Sequence, residues 1–166
     1  MPDKATAKRV ERDRRRGAAL STQAGEFVRE EIDHIRAGKH GARSAKQAIA
    51  IGLSKARRAG VALPAPKKQS SSAATRRKAR QDNAAGKHPH KPSRTRSRAT
   101  TRALRREKRS TVSHEALAKQ THAAARRRTR ADRSAAARKA VRTKGPARRA
   151  AAARKGARTR RRRSSG

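Results

Sequence analysis

The chain has 166 residues, with 50 Lys+Arg against 11 Asp+Glu, a formal net charge of +39. It has no cysteine, tryptophan or tyrosine and a single phenylalanine, which excludes disulfides and thiolate metal sites and leaves no aromatic platforms for stacking bases. No stretch approaches the ~20 apolar residues that a membrane-spanning helix needs, and the first residues lack the apolar run of a secretory signal, so an intracellular protein without membrane contact is expected.

Residues 1–21 read as a charged N-terminal segment. Glu11 and Arg15 stand at i,i+4 and support a helix by a few tenths of a kcal/mol. Within residues 2–20, Val10 and Leu20 are the only large apolar groups, which predicts a frayed helix rather than a packed one.

Residues 22–61 carry the only globular pattern and predict a helical hairpin. Thr22 or Ser21 is the candidate cap of its first helix. Phe27, Val28, Ile32 and Ile35 then fall toward one side, while Glu26, Glu30, Glu31 and Asp33 cover the rest. Gly38 stands where a glycine ends a helix. Ser44 and Gln47 have capping-box spacing, and Ala48, Ile49, Gly52, Leu53 and Ala56 continue as a second stripe. Gly52 in its middle predicts a close approach of two helix backbones. Gly60, Val61 and Pro64 predict the stop. A unit of about forty residues is near the size at which a lone core seldom suffices. Self-association through residues 22–61, or support from a neighbouring helix, is therefore expected.

Residues 62–99 read as a Pro/Ser-rich basic linker, punctuated by Pro64, Pro66, the serine run 70–72, Asn83, Gly86, Pro89 and Pro92. Residues 100–145 regain helical propensity but lack an apolar face, which predicts a weakly helical basic segment. Residues 146–166 read as a disordered Arg-rich tail. After Leu63 the large aliphatics are only Leu104, Val112, Leu117 and Val141, too few to offset the ordering of a hundred residues. The fold class expected is all-α, a small helical hairpin with a long, mostly disordered basic Ala/Arg/Lys-rich tail. Within it, Arg133–Thr143 and Arg149–Thr159 repeat each other at 8 of 11 positions.

The charge is lopsided. Residues 1–63 hold 15 Lys/Arg and 7 Asp/Glu, and residues 64–166 hold 35 and 4. Solubility alone is reached at a net charge of about 2–8. A chain this basic is expected to be neutralised on a polyanion, and the abundant cellular polyanion is nucleic acid. The candidate phosphate-binding residues are Arg57, Arg58, Arg76, Arg77, Lys78, Arg105, Arg106, Arg126, Arg127, Arg128, Arg138, Lys139, Arg154, Lys155, Arg160, Arg161, Arg162 and Arg163. The guanidinium fork suits bidentate phosphate contact. With one aromatic and few Asn or Gln in the basic region, backbone-directed, sequence-tolerant binding of duplex DNA is expected. The alternative is an RNA-binding or ribosome-associated basic protein.

No nucleophile arrangement or glycine-rich phosphate cradle occurs, so neither catalysis, a cofactor nor a small-molecule substrate is expected. Glu30, Glu31, Asp33 and His34 cluster, but consecutive residues of a helix point in different directions, and these groups are expected to pair with Arg29, Arg36 or the basic tail. The six histidines, His34 and His40 at the hairpin loop and His88 and His90 among them, lack cysteine partners and read as solvated polar residues, so no metal site is expected.

The stretch Ser44–Gly60, SAKQAIAIGLSKARRAG, resembles an uncharacterised family of small basic bacterial proteins with a "KQAIAIGLSxARRAG" helix before an Ala/Arg/Lys/Ser-rich tail. The preceding Gly25–Glu31 segment resembles that family's first helix. The likeness covers about residues 22–61. The tail resembles linker-histone tails and histone-like bacterial proteins in composition. These resemblances imply DNA association and a cytoplasmic, nucleoid location, or a nucleus in a eukaryote.

Overall fold

The computed structural model describes residues 2–88 and 93–164, and among them every regular element is helical. The α-helices are α1 (Lys4–Arg15), α2 (Leu20–Arg36), α3 (Ala45–Arg58), α4 (Ala73–Lys87), α5 (Arg94–Arg105), α6 (His114–Arg126) and α7 (Arg130–Ser164). Short 3-10 turns occupy Lys68–Ser70 and Ser110–Val112. The chain divides into two compact units between Gln120 and Thr121.

In the first unit α2 and α3 pack as their apolar stripes require. Gly52 is the contact point: a Cβ there would lie 2.6 Å from Val28 Cα and 3.0 Å from the Phe27 carbonyl oxygen. Gly52→Ala is therefore expected to destabilise the unit. Alanine gains about 1 kcal/mol of helix propensity, but the displaced atoms are backbone, and overpacking of this kind costs about 1–3 kcal/mol. A denaturant midpoint equal to or above the parent's would refute the close approach.

The helix ends follow from local chemistry. Ser44 Oγ accepts from the Gln47 amide at 3.2 Å, and Gln47 Oε1 reaches back to the Arg43 amide at 2.6 Å, one residue before the expected partner. At Gly38 and Gly60 the backbone turns left-handed (φ 77° and 89°) and closes paired bonds: Lys39 N–H to His34 and Gly38 N–H to Ile35, then Val61 N–H to Ala56 and Gly60 N–H to Arg57. Val61 drops into the core beside Ala56. The start of α2 differs from expectation. The helix begins at Leu20 with Ala19 in the cap position, and neither Ser21 nor Thr22 caps it.

The core has two clusters. Ala24, Phe27, Ala56 and Val61 form one, with Val10, Leu53 and Leu63 packed on it. Ile35, Ala42, Ala48 and Val112 form the other, beside Ile32. Residues 22–61 are thus not a free-standing hairpin, because three flanking segments complete these clusters.

The N-terminal segment is the first of them. α1 packs on α2 with Thr6 buried and Val10 in the Phe27 cluster. Arg9 pairs with Glu26 across the two helices, and the Asp3 amide donates to Glu30 Oε2 at 3.2 Å. One valine makes no stripe, so the packing was not readable from periodicity.

The expected linker is the second. Ser72 Oγ accepts from the Thr75 amide at 3.2 Å and caps α4, which packs on α3 through Gly86 and buries Ala79. A Cβ on Gly86 would lie 2.2 Å from the Arg57 carbonyl oxygen. Asn83 Nδ2 donates to the Leu63 carbonyl at 2.9 Å. The serine, asparagine and glycine that signal a linker serve here as cap, peg and contact point. Pro89, His90 and Pro92 lie outside the described residues.

The third is the segment around Val112, which is fully buried. Gly41 N–H donates to Leu104 O at 2.8 Å and Ala42 N–H to Lys108 O at 3.1 Å. Arg36 Nη2 donates to the Val112 carbonyl at 3.1 Å and Thr111 Oγ1 to the Ala42 carbonyl at 2.9 Å. A basic segment without an apolar face is anchored here by backbone bonds and one valine.

Two further expectations are corrected by burial. Glu30 and Glu31 lie inside, at 3% and 0% exposure, beside Lys55. His34 and His40 are mostly enclosed rather than solvated, with rings 6.4 Å apart edge to face. The second unit also departs from the expected disordered tail. It is mostly helical as far as residue 164, and the side chains described there are solvent-exposed.

Candidate nucleic-acid interface

Helical order separates the basic residues into those that hold the fold and those that face solvent. Arg57 belongs to the first group. It is 8% exposed and donates through Nε to Leu63 O and through Nη2 to Pro64 O, both at 3.3 Å. Its burial lowers the guanidinium pKa from the ordinary value, while the charge of Asp82 opposes the shift. Arg57 ties the end of α3 to the chain beyond it and is removed from the candidate phosphate surface.

Asp82 engages two more candidates. It is almost fully buried on α4, accepts from Ser54 Oγ at 2.7 Å and from Lys78 Nζ at 2.8 Å, and lies 3.7 Å from Arg58 Nε. Arg58 also donates to Ser54 Oγ at 3.1 Å. These cations compensate a carboxylate that would otherwise be buried uncompensated. Arg76 is half-buried, with Nη1 donating to Ser71 O at 2.6 Å, whereas Arg77 on the same helix is exposed.

On α5 the structure adds residues that the dipeptide clusters missed. Arg94, Arg98, Arg102 and the capping Arg106 stand at successive i,i+4 positions and are all exposed. They form one ridge with about 6 Å of rise between neighbours. Ala99 and Ala103 lie beside Arg98, Arg102 and Arg106 in a shallow trough. Ser93 Oγ accepts from the Arg96 amide at 3.5 Å at the start of this helix. The i,i+4 arginine spacing was the available signal. Arg105 and Arg106, the pair named from sequence, are exposed at the end of the ridge.

In the second unit, Arg126, Arg127 and Arg128 are exposed around the end of α6. Thr129 and Asp132 form a reciprocal capping pair at the start of α7: Thr129 Oγ1 accepts from the Asp132 amide at 3.1 Å, and Asp132 Oδ2 accepts from the Thr129 amide at 3.3 Å. At Gly145 the backbone (φ 64°, ψ 169°) leaves helical geometry, and Pro146 opens the following stretch. That region of φ/ψ is essentially reserved to glycine, and proline is tolerated in a first helical turn.

The break divides α7 into two rods, each holding one copy of the internal repeat. The copies match in detail. Thr143 Oγ1 donates to the Lys139 carbonyl and Thr159 Oγ1 to the Lys155 carbonyl, each at 3.0 Å. Arg138, Lys139, Arg154, Lys155, Arg160, Arg161 and Arg162 are all exposed on these rods. The Arg163 side chain lies outside the described part of the structure. Residues 121–166 hold 18 Lys/Arg and one acidic residue.

Residues 3–69 match a family of unknown function (DUF6496). The match spans less than half of the chain, from the start of α1 through α3 to the turn before α4. It agrees with the likeness to an uncharacterised family over residues 22–61 and extends it to α1, the helix that tertiary packing adds to α2. The α5 ridge and α7 lie beyond the matched segment. No curated protein and no solved structure matches the chain significantly. Among the described residues, no helix is long and apolar enough to cross a membrane.

Proposed function

We propose that this chain is a sequence-tolerant, histone-like DNA-binding protein that neutralises and condenses duplex DNA through phosphate contacts, and that it acts in the nucleoid or its equivalent. The observation that carries this is the exposure of the arginines on the α5 ridge and on both rods of α7, held out on helices with almost no acidic neighbours. On a helix of this composition the like charges repel at i,i+4, which disfavours the free helix. Phosphate binding removes that repulsion, so the ordered rods and the polyanion support each other. The role is binding rather than catalysis, and the matched N-terminal helices act as the folded anchor for the cationic arms.

Phosphate contacts position a protein on a duplex but carry no base information. Unrelated duplexes of equal length are therefore expected to bind within about threefold of one another in fluorescence anisotropy. Single-stranded RNA should compete more weakly, because stacking aromatics are missing. A preference of a hundredfold for one duplex sequence, or for an RNA stem-loop, would replace this proposal by a base-reading or RNA-binding role.

A further inference from the structure

A second site lies where the start of α1, the last turns of α2, the loop after it and α3 meet. Glu31 is fully buried, and neither of its oxygens accepts a hydrogen bond. Lys55 Nζ stands 2.6 Å from Oε2, outside hydrogen-bond alignment, and balances the charge on that side. The Oε1 side faces His40, whose Nε2 is 3.4 Å away.

The contact on the other side of His40 fixes which nitrogen faces Glu31. The opposite nitrogen of His40, Nδ1, lies 3.1 Å from the Gly41 carbonyl oxygen. A carbonyl only accepts, so this contact assigns the N–H to Nδ1. In the neutral ring Nε2 then carries a lone pair and confronts a carboxylate oxygen that has one too. Such a pair is stabilised by a cation between the two atoms, a proton on Nε2 or a metal ion, and a third ligand alongside favours the metal ion. Metal-bound histidines characteristically fix their second nitrogen on a backbone carbonyl or a carboxylate in this way.

A third ligand is in place. His34 lies three residues after Glu31 on α2 and shares its face. Its ring is held by Asp3, with Nε2 2.8 Å from Oδ2. One ligand atom from each of Glu31, His34 and His40 lies within 4.8 Å of the others. In a tetrahedral site with bonds of about 2.0–2.1 Å, ligand atoms are about 3.4 Å apart. The Glu31–His40 edge already has that length, and the other two are within reach of side-chain adjustment.

We propose that Glu31, His34 and His40 form a binding site for one divalent metal ion of the zinc class, with a fourth position for water. Two imidazoles and one carboxylate suit zinc better than calcium or magnesium, which take oxygen ligands. The ion would join α2 to the loop that follows it, next to the point where Asp3 brings in α1.

The test titrates the full-length protein with Zn2+ alone by calorimetry, with Co2+ absorption as a second reading. One equivalent should bind saturably, and Co2+ should give the intense visible bands of a tetrahedral site. His40→Ala, in a loop, is expected to lower the affinity at least tenfold while circular dichroism stays unchanged. His88→Ala and His122→Ala, at exposed positions, should leave it unaltered. No saturable equivalent, an octahedral Co2+ spectrum, or equal affinity in the parent and in folded His40→Ala overturns the proposal. Should His40→Ala fail to fold, the parent's stoichiometry and Co2+ spectrum decide.

Discussion

Duplex affinity is expected to collapse as salt rises, by about four orders of magnitude between 50 and 200 mM for a protein making some eight phosphate contacts. Each neutralised phosphate releases condensed counterion and adds about −0.9 to the slope of log K against log salt. Ending the chain after Gln120 should then reduce the slope by about half. The cut falls between the two compact units and removes 18 of the 50 Lys/Arg, including both copies of the repeat. The α5 ridge stays behind, so residual binding with a shallower slope is the expected outcome rather than none. Anisotropy titrations at four salt concentrations measure both slopes. An affinity that barely responds to salt would remove the phosphate mechanism. An unchanged slope after truncation would place the contacts in the first unit alone. The site of the cut matters: ending the chain near residue 63 would strip α4 and Val112 from the core and confound lost binding with lost folding.

Phe27→Ala should be the most damaging single change to the fold. Phe27 is the largest fully buried side chain and lies between Ala24, Ala56 and Val61, with Val10, Leu53 and Leu63 around it. Truncation of a buried phenylalanine costs about 3–5 kcal/mol through lost transfer energy and the cavity left behind. Two of these neighbours, Ala24 and Ala56, have almost no side chain to move into the space. Small domains have total stabilities of about 5–15 kcal/mol, and a core built so much of alanine belongs near the lower end. A fall in melting temperature of about 15–30 °C follows, read as an early loss of helical signal on heating. A shift of only a few degrees would show that the cluster is not what holds the unit. The arginine-rich rods of α7 belong to the other unit, so salt-dependent duplex binding should persist in the variant at low temperature.

Much of the helical detail in residues 22–61 was legible because it depends on neighbours along the chain. Ser44 and Gln47 find each other within one turn, and Gly38 and Gly60 end helices through bonds spanning a few residues. Gly52 was identifiable as a close contact because a glycine inside an apolar stripe has few other uses. The failures share a different cause. α1, α4 and the segment around Val112 lack a periodic apolar face, so their packing left no trace in hydropathy. They are held by single side chains and by backbone bonds to distant residues, as Gly41 is to Leu104 and Asn83 to Leu63.

The candidate interface divides along the same line. Exposure of the α7 arginines was foreseeable, since a stretch whose large aliphatics amount to one valine has nothing to bury. The withdrawal of Arg57 was not foreseeable, because its partners are carbonyl groups made available only by the turn after α3. Arg58 and Lys78 are likewise engaged because α4 carries Asp82 to the side of α3.

Composition and local spacing alone determined that this chain is helical, cationic and supplied with arginine far beyond the needs of solubility, because charge and propensity add residue by residue. Tertiary structure decided which of those cations remain outside, and that Glu31, His34 and His40 meet in one enclosed place. Burial and long-range contact depend on where the chain returns to itself, and no window of sequence contains that information.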